Sequence, residues 1–174
     1  MSAPRKMLGD VNSPGCRALM ELIQTQSKST LAKWSLAFAR ERYLPIFKAV
    51  NPDDRTLDEA ILAADACLAG QIKPAALKAP INAAVHLARN ESNPIAQAAA
   101  RAVSTACAVI RTPTNSLGFL FYGAAASAYN QVGVNSDADT YARLAEAELS
   151  LALESLKAAA IPDEPNPAKI DWNC

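Results

Sequence analysis

The chain has 174 residues, 51% of them apolar, with 17 Lys and Arg against 17 Asp and Glu and a formal net charge of zero. That length fits one domain with a single sizeable core. The balanced charge argues against a nucleic-acid binder working through bulk positive charge, and no apolar run approaches the roughly 18 residues of a bilayer-spanning helix.

The opening MSAPRKMLGD is basic, but no apolar stretch follows it. It does not read as a secretory signal, so a cytoplasmic location is expected. Strand signals are nearly missing: there is no alternating Val/Ile/Thr run and no Asn-Gly or Asp-Gly turn. Alanine, the best helix former, is frequent after residue 58 and lets helices approach closely. The expected fold class is all-α, a compact bundle of about seven helices with a kinked central helix. Residues 1–160 form the expected single domain and 161–174 an irregular tail.

Ser13-Pro14 reads as an N-cap followed by Pro at the first helical position, opening a short helix to about Thr25 with Leu19, Leu22 and Ile23 inward. The stretch from Leu31 to Val50, LAKWSLAFARERYLPIFKAV, organises the rest. It carries two apolar stripes, Leu31, Trp34 and Phe38 on one and Leu36, Tyr43, Phe47 and Val50 on the other, as in a helix surrounded by neighbours. Ser29 or Thr30 is its expected cap. Pro45 removes a backbone donor and collides with the carbonyl of Glu41, so a kink or break is expected there.

Asn51 to Arg55 is a turn, with Asp54 or Thr56 capping a helix along Leu57, Ile61, Ala64 and Leu68. Gly70 closes that helix in a left-handed conformation. Lys73-Pro74 opens another helix to about Asn90, kinked or divided by Pro80. Ser92-Asn93-Pro94 starts an almost purely small-residue helix to about Ile110, and RTPTN (Arg111 to Asn115) is a loop. Gly118 to Val132 and Asp139 to about Ala160 are the last helices, the latter with Tyr141, Leu144, Leu149 or Ala145, Leu151 and Leu156 inward. The tail has three prolines, with Ile170 and Trp172 expected to dock on the domain.

The four cysteines, Cys16, Cys67, Cys107 and Cys174, form no C-x-x-C pair, and His86 is the only histidine. Reduced, core-packed thiols are expected and structural zinc is rejected. Charge is uneven along the chain. Residues 1–50 carry eight basic against three acidic groups, and residues 137–174 carry three against eight. Either the two ends pack together and compensate, or the acidic C-terminal region faces a basic partner.

No catalytic triad, G-x-S-x-G element or phosphate-binding glycine loop occurs. His86, in AAVHLAR, reads as a core or boundary histidine rather than a base. Asp53, Asp54, Asp58, Glu59 and Asp65 form the densest acidic group. It reads either as solvated helix-start charge or as a Mg²⁺ site of a small hydrolase. Arg40 and Arg42 read as surface or boundary charges. Gly118 and Gly123, around FLFY, could admit a ligand against the backbone but read rather as points of close helix packing.

Between Leu31 and Tyr129 the chain resembles a family of all-helical putative immunity proteins encoded with bacterial polymorphic toxins, immunity-5-like in pattern. The matching pieces are WSLAFARERYLPIF, NPDDRTLDEAILAADACLAG, AAVHLARNESNPIAQAAARAVSTACAV and YGAAASAY. The least generic part is R-x-L-P-x-F-x-x-x-x-P-x-D, here Arg42, Leu44, Pro45, Phe47, Pro52 and Asp54. The family pattern places histidines near Thr105 to Leu117, and this chain has none there. An aromatic often precedes the helix-ending glycine, where Leu68 and Ala69 stand here.

The resemblance implies a small cytoplasmic protein, monomer or homodimer, that binds and blocks a cognate protein toxin. It carries over no catalytic residue and no cofactor, nucleic acid or membrane. Charge points to Asp53, Asp54, Asp58, Asp137, Asp139 and Glu146 as the contact surface. Two other readings remain at this stage: a metal-dependent helical hydrolase using Asp53 to Asp65 and His86, and a structural or regulatory module with an alanine-lined groove.

Overall fold

A computed structural model describes residues 2–173. Its described elements are α1 (Pro14–Ile23), α2 (Lys28–Arg42), α3 (Leu44–Val50), α4 (Thr56–Leu68), a 3-10 turn (Pro74–Leu77), α5 (Lys78–Asn90), α6 (Pro94–Cys107), α7 (Asn115–Val132) and α8 (Ala138–Ala159). No strand occurs among the described residues, and no helix among them is long and apolar enough to cross a membrane. The fold is all-α, and α2 with α3 makes one bent post, so the bundle counts as seven helical rods.

The bend falls where proline chemistry places it. The α2 ladder ends with the Tyr43 amide donating to the Ala39 carbonyl at 2.9 Å, and α3 begins at Leu44 with Pro45 in its first turn. First-turn amides have no partner within their own helix, so the missing donor costs nothing there. The apolar flanks hold the bend in place: Tyr43 and Phe47 are fully buried.

Aromatic rings make the centre. Trp34, Phe38 and Tyr43 from the post surround Phe119 of α7, with centroids 5.6, 6.2 and 6.3 Å from it, all edge-on. Each such contact adds about 0.5–1.5 kcal/mol beyond burial. The Trp34 indole donates to Ser155 Oγ of α8 at 3.1 Å, tying the far helix to the cluster. On the other side of the post, α6 packs against α2, α3, α4, α5 and α7. Nine of its fourteen residues are buried, six of them alanines. An all-round small-residue helix survives only where neighbours enclose it.

Several boundaries differ from expectation. The first helix stops at Ile23 rather than Thr25, and the cap of α2 is Ser27, whose Oγ accepts the Thr30 amide at 3.2 Å. Ser27 is the extended residue there, bridged to Pro167 of the tail, which leaves Ser29 and Thr30 inside the first turn. Asp54 Oδ1 accepts the Thr56 amide at 2.8 Å ahead of α4, and Gly70 has the expected positive φ, +73°. The segment after Lys73 divides at Leu77, and Pro80 sits harmlessly in the first turn of α5. Helix α6 ends at Cys107 and α7 begins at Asn115, three residues before Gly118. In α8 the buried residues are Ala145, Glu148, Leu149, Ala152 and Leu156. Leu151 lies about 200° around the helix from Leu149 and is half exposed.

The tail is irregular but docked. Gln26, 2% exposed, brackets Ile161: its Oε1 accepts the Ile161 amide at 2.8 Å and its Nε2 donates to the Ile161 carbonyl at 3.2 Å. The Ala168 amide donates to the Gln26 carbonyl at 2.8 Å, and Thr30 Oγ1 donates to Glu164 at 2.7 Å. Ile170 and Trp172 pack on the core, half buried. Cys16, Cys67 and Cys107 are buried free thiols, and Cys174 lies outside the described residues.

Candidate functional site

The six residues singled out by charge fall into two groups. Asp53 and Asp54 belong to the turn before α4 and Asp58 to its first helical turn, and α4 packs on α2, α5 and α6. Asp137, Asp139 and Glu146 belong to α8, which packs on α1, α2 and α7. The fold does not merge them into one patch.

The first group is largely occupied within the molecule. Lys48 of α3 reaches Asp58 Oδ2 and the Asp54 carbonyl, both at 2.5 Å. The Asp54 carboxylate takes the Thr56 amide, Asp65 pairs with Arg40, and Asp53 is exposed. Among the described residues no three His, Cys, Asp or Glu side chains are placed to hold a metal ion. His86 is exposed rather than in the core or at its boundary. The outer face of α5 carries it, and its Nε2 lies 3.1 Å from the Asn90 amide nitrogen.

Of the second group Glu146 lines a groove of about 1040 Å³ between the N-terminal arm and α8, while Asp137 and Asp139 lie beside its wall residues Ser136 and Ala138. Its walls include Arg5, Leu8, Asp10 and Gly15 on one side and Tyr141 and Glu146 on the other. The arm is pinned in place by three contacts. The Tyr129 hydroxyl donates to the Arg5 carbonyl at 2.6 Å, the Leu8 amide donates to the Phe121 carbonyl at 3.1 Å, and the Leu8 side chain is buried. Tyr141, edge-on to Tyr129 at 5.3 Å, donates to the Gly133 carbonyl at 2.7 Å and orders the loop into α8.

Glu146 sits half buried in this groove because the second residue of α1, Gly15, lacks a side chain. A β-carbon on Gly15 would lie 2.7 Å from Glu146 Oε1. Among the described residues Glu146 makes no hydrogen bond or ion pair, in contrast to Glu148 two positions on. The local field is negative: burial first, then the Glu146 and Asp10 charges, push the Cys16 thiol up to about 11. Asp137 caps α8, accepting the Thr140 amide at 2.8 Å, and that backbone bond leads the effects that hold its carboxyl below the ordinary value. Asp139 is exposed one residue into the helix. Arg5 is the only cation on the wall.

This arrangement offers carboxylates on an apolar floor, suited to receiving a cationic side chain from outside. Among the described residues its wall carries no imidazole and no thiol, so no nucleophile–base pair of that kind is built there. Asp10, Leu8 and Tyr141 were not foreseen, because the groove exists only once the arm folds back on α8. The single signal in the sequence was the apolar Met7-Leu8 pair in an otherwise polar opening.

Arg42 takes a boundary position, as expected, its side chain one-third exposed, and there it forms a bidentate pair with Glu148 of α8, at 2.7 and 2.6 Å, while the Tyr43 hydroxyl donates to the same carboxylate at 2.9 Å. This triangle locks the bend of the post to α8 and faces inward.

The model of the family described as Imm-5 like putative immunity protein covers residues 21–153. No curated protein matches the chain, and no solved structure does.

Proposed function

The chain belongs to the Imm-5 like putative immunity protein family, and on that premise we propose that it neutralises a cognate bacterial toxin by direct contact, without catalysis, in the cytoplasm, as a monomer or homodimer. The observation that carries the reading is Glu146, a half-buried carboxylate with no partner among the described residues, in a groove whose wall holds a single cation. An unpaired charge at the edge of water is costly to keep unless something meets it. A Lys or Arg of the toxin, entering between the arm and α8, supplies that partner. Asp137 and Asp139 at the rim steer its approach. Asp53, Asp54 and Asp58 form a second candidate contact, weakened by their engagements with Lys48 and Thr56.

The test uses the toxin domain of a polymorphic-toxin gene, where one adjoins this gene. Coexpressed wild-type chain should rescue a bacterial host from that domain. The triple variant Asp137→Asn, Asp139→Asn, Glu146→Gln should lose most of its protection. Asn at position 137 keeps the cap while removing the charge. Full protection by the triple variant would discard this surface. Absence of protection by wild type would discard the function.

A further inference from the structure

A second feature has the opposite chemistry. A pocket of about 210 Å³ opens where the N-terminal arm crosses α5, α6 and α7, with Lys6, Arg89, Arg101, Ser104, Thr105 and Tyr122 in its wall. An adjoining pocket of about 110 Å³ shares Lys6 and Arg101 and adds Arg5. Four cations from three chain segments therefore converge, and neither wall contains an Asp or Glu.

The donors there are unspent. Among the described residues none of these four cations joins an ion pair, and none gives a side-chain hydrogen bond. The Tyr122 hydroxyl also has no partner among them, although its ring is half buried against the core. The Ser104 and Thr105 hydroxyls donate to the Arg101 carbonyl at 3.1 and 2.7 Å, so their protons are committed and they leave the cations unopposed. Elsewhere in the molecule cations with neighbours are matched: Arg40 with Asp65, Arg42 with Glu148 and Lys48 with Asp58. In a chain of zero net charge, like charges held together without a counter-charge repel one another, at a cost that an anion would relieve. Guanidinium forks and an ammonium around a small polar recess suit the oxygens of a tetrahedral anion.

We propose that this pocket binds a dianion of the phosphate class, held by Lys6, Arg89, Arg101 and the Tyr122 hydroxyl. The space admits a phosphoryl group, supplied either as free phosphate or as the end of a small phosphoester. The proposal does not rest on the toxin reading and stands on a different part of the surface.

Calorimetric titration of the full chain with inorganic phosphate, in a phosphate-free buffer at fixed ionic strength, tests it. Saturable binding is expected, displaced by sulfate and not by chloride. A parallel titration with a nucleoside monophosphate separates the sources: tighter binding than phosphate identifies an ester, and equal or weaker binding identifies the free anion. Arg89→Gln and Lys6→Gln alter exposed side chains that have no partner among the described residues and should each weaken phosphate binding at least threefold, with Arg101→Gln weakening it tenfold or more. Lys157→Gln, on α8, should change nothing. Heats no larger than those of matched chloride, or affinities untouched by both Arg89→Gln and Lys6→Gln in folded protein, would overturn the proposal.

Discussion

The ring of Tyr43 lies directly on Gly123: a β-carbon built on that glycine would fall 2.1 Å from Tyr43 Cζ. The bend of the post and the α7 backbone therefore meet without a side chain between them. Gly123→Ala forces a methyl into a fully buried ring that also touches Phe38 and Phe119. Overpacking of this kind costs about 1–3 kcal/mol, and the depth of this overlap puts the change at the upper end. Urea unfolding should show a clearly lower midpoint for Gly123→Ala, while Gly118→Ala, with only Asn115 Oδ1 near at 3.9 Å, should be neutral or slightly stabilising.

The Arg42–Glu148 pair predicts a coupling between the post and α8. The Glu148 side chain is 3% exposed and that of Arg42 33%. Arg42→Leu strands the carboxylate with Tyr43 as its remaining donor. The expected cost is about 3 kcal/mol, the low end for breaking a buried pair because Arg42 keeps some contact with water. Arg42→Leu with Glu148→Leu should recover part of that loss. A double-mutant cycle with strictly additive effects would contradict the coupling.

These two relationships mark the limit of what the sequence displays. The apolar stripes from Leu31 to Val50, the proline break and the terminating Gly70 all follow from local spacing and backbone chemistry. Close packing at Gly123 was also readable, but its partner Tyr43 was not. Glu148 was legible only as one more acid in an acidic region, since its partners lie 106 and 105 residues away. The same distance effect hid the groove, whose wall needs residues 5–15 to return to α8. Ser27 was missed as a cap because the tail that extends it arrives from Pro167. Local patterns name elements, whereas pairings between distant polar groups need the fold.

Alkaline pH should weaken the fold from a defined point. Burial leads the effects that push Cys16 up to about 11 and Cys107 up to about 12, from an ordinary value of 9.0. The unfolded chain therefore releases these protons first as pH rises. Stability is intact below about 9 and falls between 9 and about 11 for Cys16, and to about 12 for Cys107, with a limiting slope of ~1.4 kcal/mol per pH unit for each group. Tyr43, raised by burial and then by the Glu148 charge, adds a loss of the same sign above 10. Urea midpoints at pH 8 and pH 10.5 should show the drop, and Cys107→Ala should make it shallower. A midpoint independent of pH in that window would contradict the burial of these thiols.

The tail should come loose when one residue is shortened. Gln26→Ala removes both bonds to Ile161, and each net hydrogen bond is worth about 1 kcal/mol. The main effect is local: the Ile161 amide should lose hydrogen-exchange protection, and trypsin should cut after Lys169 faster than in wild type. Unchanged exchange at Ile161 would show that the tail is held by its other contacts, the Ala168 and Glu164 hydrogen bonds and the packing of Ile170 and Trp172, without the Gln26 side chain.

The most direct test of the central claim is the affinity of the purified chain for the toxin domain of an adjoining polymorphic-toxin gene, where one is found, measured by calorimetry. The account predicts a saturable complex that weakens as salt rises, and at least a tenfold loss of affinity in the Asp137→Asn, Asp139→Asn, Glu146→Gln variant. Absence of binding by the wild-type chain, or an affinity that the triple variant leaves unchanged, would contradict it.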